Sequence, residues 1–399
     1  MGPITRLSFR KGRWKRRVIF SLTLSALVAA GAGPQEEGLE ALPSGKWVRL
    51  GEPCRDVPAG MLAYSGMAVD PRGRRLLLFG GGHNDYWGNE VWAWEIPARA
   101  WKKLTEPTPR DEYASAPFDW DRSPGMFPHL KLPVSRHTYD SVEFAEHAGV
   151  LYAAGSSTYS GGGETLWKAG EGYTRGASGP RRGKGWGPFD AWLFDPRTLR
   201  WTYVRPETAA GWGGNICAYA PDLRRVIVMG SDSSGFWGPF TYDPGTGAWA
   251  DLKPKGRPAT GIHQTATYDS RRKVCYLVGG SSAGDALWAY RFETHEWAAL
   301  DPAGRRPRLR DGTGSAYDAS ADVLVTYGKD GLWVYDPAAN AWQENPARGG
   351  PEPPRKGDTG SSAEIYGRLK YDPVGRVVFL VIGGHGPGVE VWGYRHGIR

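Results

Sequence analysis

The stretch Val91-Trp92-Ala93-Trp94-Glu95-Ile96-Pro97-Ala98-Arg99-Ala100-Trp101 decides how the chain is read. It holds an aromatic, a spacer, a second aromatic, a turn, and a Trp nine residues after the first aromatic. The same spacing recurs at Trp192/Phe194/Trp201, Phe240/Tyr242/Trp249, Trp288/Tyr290/Trp297 and Trp333/Tyr335/Trp342. A sixth start, Trp392/Tyr394, has no closing Trp before Arg399. That Trp stands at the other end, where Lys46-Trp47-Val48-Arg49-Leu50 reads like Trp101-Lys102-Lys103-Leu104. The repeat is circular, with one unit split between the two ends of the chain.

Each unit is a β-hairpin in physical terms. Aromatics at i and i+2 lie on one face of a strand. The connecting Asp195-Pro196-Arg197-Thr198, Asp243-Pro244-Gly245-Thr246 and Asp336-Pro337-Ala338-Ala339 are turn formers, since Asp caps its own backbone and Pro presets φ. Eighteen aromatics at fixed positions, three in each of six units, build a core and not a ligand box.

A front half precedes each hairpin. One strand ends at Val69-Asp70-Pro71, Tyr268-Asp269-Ser270, Tyr317-Asp318-Ala319 or Tyr371-Asp372-Pro373. An apolar strand follows and stops at Gly80, Gly155, Gly230, Gly279, Gly328 or Gly383. That makes four strands per unit, and no stretch after residue 35 has the period of a sustained amphipathic helix.

A four-stranded unit with a period near 50, a glycine stop and a Trp nine residues past a strand aromatic resembles the kelch repeat of β-propellers. The resemblance spans about residues 46–395 and implies an all-β, six-bladed propeller whose last blade is completed by the N-terminal strand. The blades fall at about 60–104, 134–204, 213–252, 261–300, 311–345 and 364–395 with 46–50. A seventh is excluded because Trp167, in the long insertion, has Gly176 nine residues on.

The net charge of +8 belongs to the leader. Residues 1–33 hold Arg6, Arg10, Lys11, Arg13, Lys15, Arg16 and Arg17 and no acid, so the remainder carries 8 − 7 = +1. That balance gives no reason to expect a nucleic-acid partner. A basic segment, an apolar run from Val18 to Ala30 and the small residues Ala30-Gly31-Ala32 read as a signal peptide over 1–32. A linker over 33–45 and the propeller over 46–399 would follow. The expectation is a secreted or periplasmic monomer with no membrane segment after cleavage. Cys54, Cys217 and Cys275 are an odd number, and Cys275 sits inside an apolar strand, so this is no disulfide scaffold.

Strands that run up and down place the turns after the first and third strands on one face. These turns are short and uniform. The loops after the second and fourth strands share the other face, which also holds the long stretches 105–133, 156–189 and 343–363. Long loops in a compact domain commonly carry function, so this is the expected binding face. Gly80-Gly81-Gly82-His83-Asn84-Asp85 lies on it, as does Gly383-Gly384-His385-Gly386 in blade 6. Arg136, His137 and His263 lie near the start of innermost strands, with Asp311 in a similar place in blade 5. His83, Asn84, Asp85, Arg136, His137, His263, Asp311 and His385 are therefore the expected binding residues. No catalytic residue is assigned, and the lack of short-spaced His pairs leaves no metal site and no cofactor expected. Glu364 and Arg368 flank the innermost strand of blade 6 as a structural acid–Arg pair.

The sequence also looks like the propeller part of galactose oxidase. The copper set of that family, two Tyr, two His and a Cys cross-linked to one of those Tyr, has no assignable counterpart here, so only the fold carries over. An exported six-bladed kelch protein that interconverts sialic acid anomers shares the architecture. The resemblances carry the fold alone; the expected function, from the long-loop face, is a binding module for a glycan or a protein partner. The alternatives are a sugar isomerase, mutarotase or lyase at the channel mouth and, third, a relative of the copper radical oxidases.

Overall fold

The described residues of the computed structural model are all-β apart from three short 3₁₀ turns. It describes residues 38–81, 86–109, 126–127, 132–158, 190–204, 216–232, 235–259, 263–280, 285–309, 312–344, 349–351, 364–383 and 388–397. Six four-stranded antiparallel sheets form a ring, the β-propeller expected from the repeat. Blade 1 comprises Gly66–Asp70, Arg75–Phe79, Trp92–Glu95 and Ala100–Lys103. Blades 2 to 5 follow the same order along the chain, and Arg136–His137 adds a short fifth strand to blade 2. Blade 6 comprises Leu369–Asp372, Val377–Gly383 and Val389–Tyr394, and its outermost strand is Trp47–Arg49.

The aromatic spacing sets the hairpin register in every blade. Trp94 faces Trp101, Phe194 faces Trp201, Tyr242 faces Trp249, Tyr290 faces Trp297 and Tyr335 faces Trp342. The split unit obeys the same rule, with Trp47 opposite Tyr394 and their ring centroids 5.2 Å apart. Directly opposed aromatic pairs are the contacts that stabilise a two-stranded ladder. Within the triples burial is uneven. The second aromatic is buried in all six blades, whereas the closing Trp101, Trp201 and Trp249 are half-buried.

Six hydrophobic clusters are found, one at each junction between neighbouring blades. The core is thus a ring and leaves the axis to other side chains. On the short-turn face each Asp holds its own turn: Asp269 accepts from the backbone N–H of Arg271 and Arg272, and Asp336 from Ala338 and Ala339. Arg272 then bridges Asp269 to Asp322 of the next blade at 2.9 and 2.6 Å. Residues 38–45, within the stretch expected as a linker, contribute buried Leu39 and Leu42, and Gly45 N–H donates to Arg395 O. The signal-peptide expectation for 1–32 lies outside the described residues.

Candidate functional site

The strand-end residues Asp70, Ala145, Asp269, Asp318 and Asp372 put the blades in register. Counting six residues back reaches Tyr64, Tyr139, His263, Gly312 and Tyr366, at the entry to the innermost strands. All five have left-handed backbone: φ is 52° at Tyr64, 49° at Tyr139, 69° at His263, 64° at Gly312 and 49° at Tyr366. Arg74, Lys273, Asp322 and Arg376 also have positive φ, but they close hairpin turns, where that conformation is routine. Bulky residues in this region are outliers that cost about 1–3 kcal/mol each and mark sites where the surroundings over-determine the backbone.

Backbone hydrogen bonds link these entries around the axis. Tyr139 N–H donates to Tyr64 O at 2.8 Å, Gly312 N–H to His263 O at 3.1 Å, and Tyr366 N–H to Gly312 O at 2.9 Å. Gly367 N–H reaches Tyr139 O, and a Cβ on Gly367 would lie 2.7 Å from Asp140 Oδ1, so only glycine fits that crossing.

The strained backbone turns four rings toward one another, and His137 joins them from its short strand. Tyr64 stacks on His137 at 4.7 Å, and Tyr139 stacks on His263 at 5.4 Å. Tyr366 meets Tyr64, Tyr139 and His263 at 5.7, 5.4 and 5.4 Å. His137 Nδ1 lies 3.3 Å from Tyr139 Oη. Tyr64 and His263 are half-buried and the other three rings are buried. The result is a collar with two accessible rings at the axis on the long-loop face.

Directly beneath the collar the axis is plugged by charge. Asp140 follows Tyr139 in the chain and accepts from Ala266 N–H of blade 4 at 2.6 Å. Its other oxygen lies 3.3 Å from Lys370 Nζ of blade 6, which also bonds Glu143 of blade 2. All three side chains are buried or nearly so. Burial pushes the Asp140 carboxyl up to about 7, against the pull of Lys370, and burial raises Glu143 as well. For Lys370 burial acts downward, but the two carboxylates outweigh it and hold the ammonium above its ordinary range. One ammonium neutralises one carboxylate, so the remaining acid retains its proton close to neutral pH.

Of the expected binding residues, the structure brings His137 and His263 together in the collar. Arg136, beside His137, is fully buried and donates through Nε to Val134 O. His83, Asn84, Asp85, Asp311 and His385 lie outside the described residues. Arg368 is buried and donates to Val381 O and to the backbone O of Glu364. Burial lowers its guanidinium to about 10. His147, His295 and His396 bond Tyr219, Tyr290 and Tyr394.

The sequence patterns above single out none of Tyr139, Tyr366, Asp140, Glu143 and Lys370. The signal for the aromatic positions was available: an aromatic or His six residues before the strand-end residue in four blades. Cys217 and Cys275 are buried, and burial pushes both thiols up. Among the described residues no three or more His, Cys, Asp or Glu gather as a metal site. No protein-family model matches this chain, and no curated protein is similar to it.

Proposed function

We propose that this is an exported kelch-type, galactose-oxidase-like propeller that binds a glycan over the collar at the long-loop mouth of its channel. The observation that carries the reading is the convergence of Tyr64, His137, Tyr139, His263 and Tyr366 on one point, four of them in strained backbone. A sugar offers C–H faces that pack on aromatic rings and hydroxyls that bond their polar tips. A collar of tyrosines and imidazoles supplies both kinds of contact. A concave site with few convergent polar groups is the usual form of a small-ligand pocket. Propellers commonly serve as binding modules, and the leader would deliver this one to a glycan-bearing compartment. A glycan array of the purified propeller tests the reading, with Tyr64→Ala and His263→Gly as controls. Each variant is expected to lose at least tenfold in affinity for the glycans retained by the wild type. An array with no hits, or hits that survive both substitutions, overturns it; hits on peptide arrays alone would favour a protein partner.

A second reading rests on Asp140. A buried carboxyl titrating near 7 just under the collar has the poise of a general base, which would suit an anomer-exchanging enzyme. Exchange spectroscopy on any sugar that binds separates the two. Faster exchange that disappears in Asp140→Asn supports catalysis, and an unchanged rate supports binding alone.

A further inference from the structure

The short-turn end of the channel opens into a cavity of about 200 Å³, lined by residues of all six blades. We propose that this cavity is a second binding site, for a small methylated ammonium cation. The argument starts from the inner-strand register. Two residues before each strand end stand Ala68, Glu143, Ala218, Thr267, Ala316 and Lys370. Four of these are small and leave the axis open; Glu143 and Lys370 are long and form the floor. One step nearer the rim the side chain is aromatic in five consecutive blades: Phe144, Tyr219, Tyr268, Tyr317 and Tyr371, all on the cavity wall.

Those tyrosines are already committed through their hydroxyls. Tyr268 donates to Asp222 at 3.2 Å, Tyr317 donates to Asp322 at 2.6 Å, and Tyr219 bonds His147 at 3.0 Å. The wall therefore offers aromatic surface and few free hydrogen-bonding groups. Donation to a carboxylate also enriches a phenol ring in electrons, which strengthens its attraction for a cation. Charge points the same way. Glu143 and Glu146 line the cavity with Asp140 just beneath, against Lys370 and Arg72, which pairs with Glu146 at 3.4 Å. With one proton kept by the Asp140–Glu143 pair, two carboxylates balance these two cations near neutral pH, and a bound cation would favour release of that proton. An anionic or neutral ligand would gain nothing from that release. A primary ammonium would need acceptors that the wall has already used, whereas a methylated ammonium needs none. Pockets for drug-sized ligands hold about 300–1,000 Å³, so this smaller space suits a head group.

The test is calorimetric titration of the full propeller with choline and with 3,3-dimethyl-1-butanol, its neutral isostere. Choline is expected to bind at least tenfold more tightly. Ala319→Trp, which fills the cavity mouth without touching a buried group, should abolish binding, and Glu143→Gln should weaken it about tenfold. Equal affinity for the two compounds, no heat from choline at any accessible concentration, or undiminished binding by Ala319→Trp would overturn the proposal. The outcome is independent of the glycan reading: Ala319→Trp should leave glycan binding intact, and His263→Gly should leave choline binding intact.

Discussion

The outer hairpin of each blade and the entry to each inner strand occupy the same repeat yet follow different rules. In the hairpins every blade places an aromatic opposite an aromatic, from Trp94–Trp101 to Tyr394–Trp47. At the strand entries the side chain is Tyr, Tyr, His, Gly and Tyr in the five blades whose entry is described, in backbone that disfavours most of them. The hairpins meet one demand six times, which is to fill the wedge between neighbouring blades. The entries meet at a single point on the axis, where six equal side chains would collide and unequal ones can enclose an asymmetric ligand. Regularity in this molecule is a sign of packing, and its interruption marks the place where ligand binding is proposed.

The largest test of that contrast is removal of the closing strand. Deleting residues 38–50 strips the partner from Val389–Tyr394 and leaves buried Tyr394 on an open edge. Unpaired edges of this kind aggregate. Size-exclusion chromatography should show a shift to aggregate; an unchanged elution volume with the same melting temperature would break the closure argument.

Within the hairpins, Tyr290→Ala should cost about 3–5 kcal/mol in denaturant unfolding, the range for a fully buried aromatic. Trp249→Ala should cost roughly half as much, because Trp249 is only half-buried. Equal costs would mean that burial does not rank the aromatic positions.

At the plug, pH supplies the test. Asp140 has a folded pKa near 7, above its ordinary 3.8, so the folded state binds the proton more tightly. Its contribution to stability is complete below about pH 4 and is lost as pH rises toward 7. Asp243 and Asp322 behave oppositely, since both are held near 2; their contribution is present above pH 4 and lost below it. Stability should therefore fall by on the order of 2 kcal/mol between pH 4 and 7. Asp140→Asn should flatten that decline. A decline of the same size in the variant would assign it to other groups.

The smallest expected effect is the most specific. His263→Gly and His263→Ala both remove the ring, but only glycine relieves a φ of 69°. The glycine variant should be about 1 kcal/mol more stable than the alanine variant. Parity between them would mean that the entry is unstrained, and the contrast between packing and recognition would lose its backbone half.

The fold was legible because its signals repeat at short range. Aromatics two and nine residues apart reveal a hairpin, and the match between Trp47 and Trp101 reveals its split copy. The site was only partly legible. His137 and His263 stand out as histidines, whereas Tyr139 and Tyr366 are two tyrosines among nineteen. They become visible only when the blades are aligned on the strand end. Lys370 and Asp140 are 230 residues apart and meet only because the ring closes. A charge pair spanning the axis has no local pattern to announce it.

Ring closure also has a clock. Trp47 pairs with Tyr394, 394 − 47 = 347 residues further along the chain. At synthesis rates of about 5–20 residues per second, roughly 20–70 s separate the appearance of the two partners. Blades 1 to 5 draw all four strands from contiguous sequence and can assemble as they emerge, but blade 6 waits for a strand made at the outset. Lys370 reaches Asp140 and Glu143 only near the end of the same interval. For most of its synthesis the chain is an arc with two open flanks, and both the final blade and the charged plug on the axis come together in the last step.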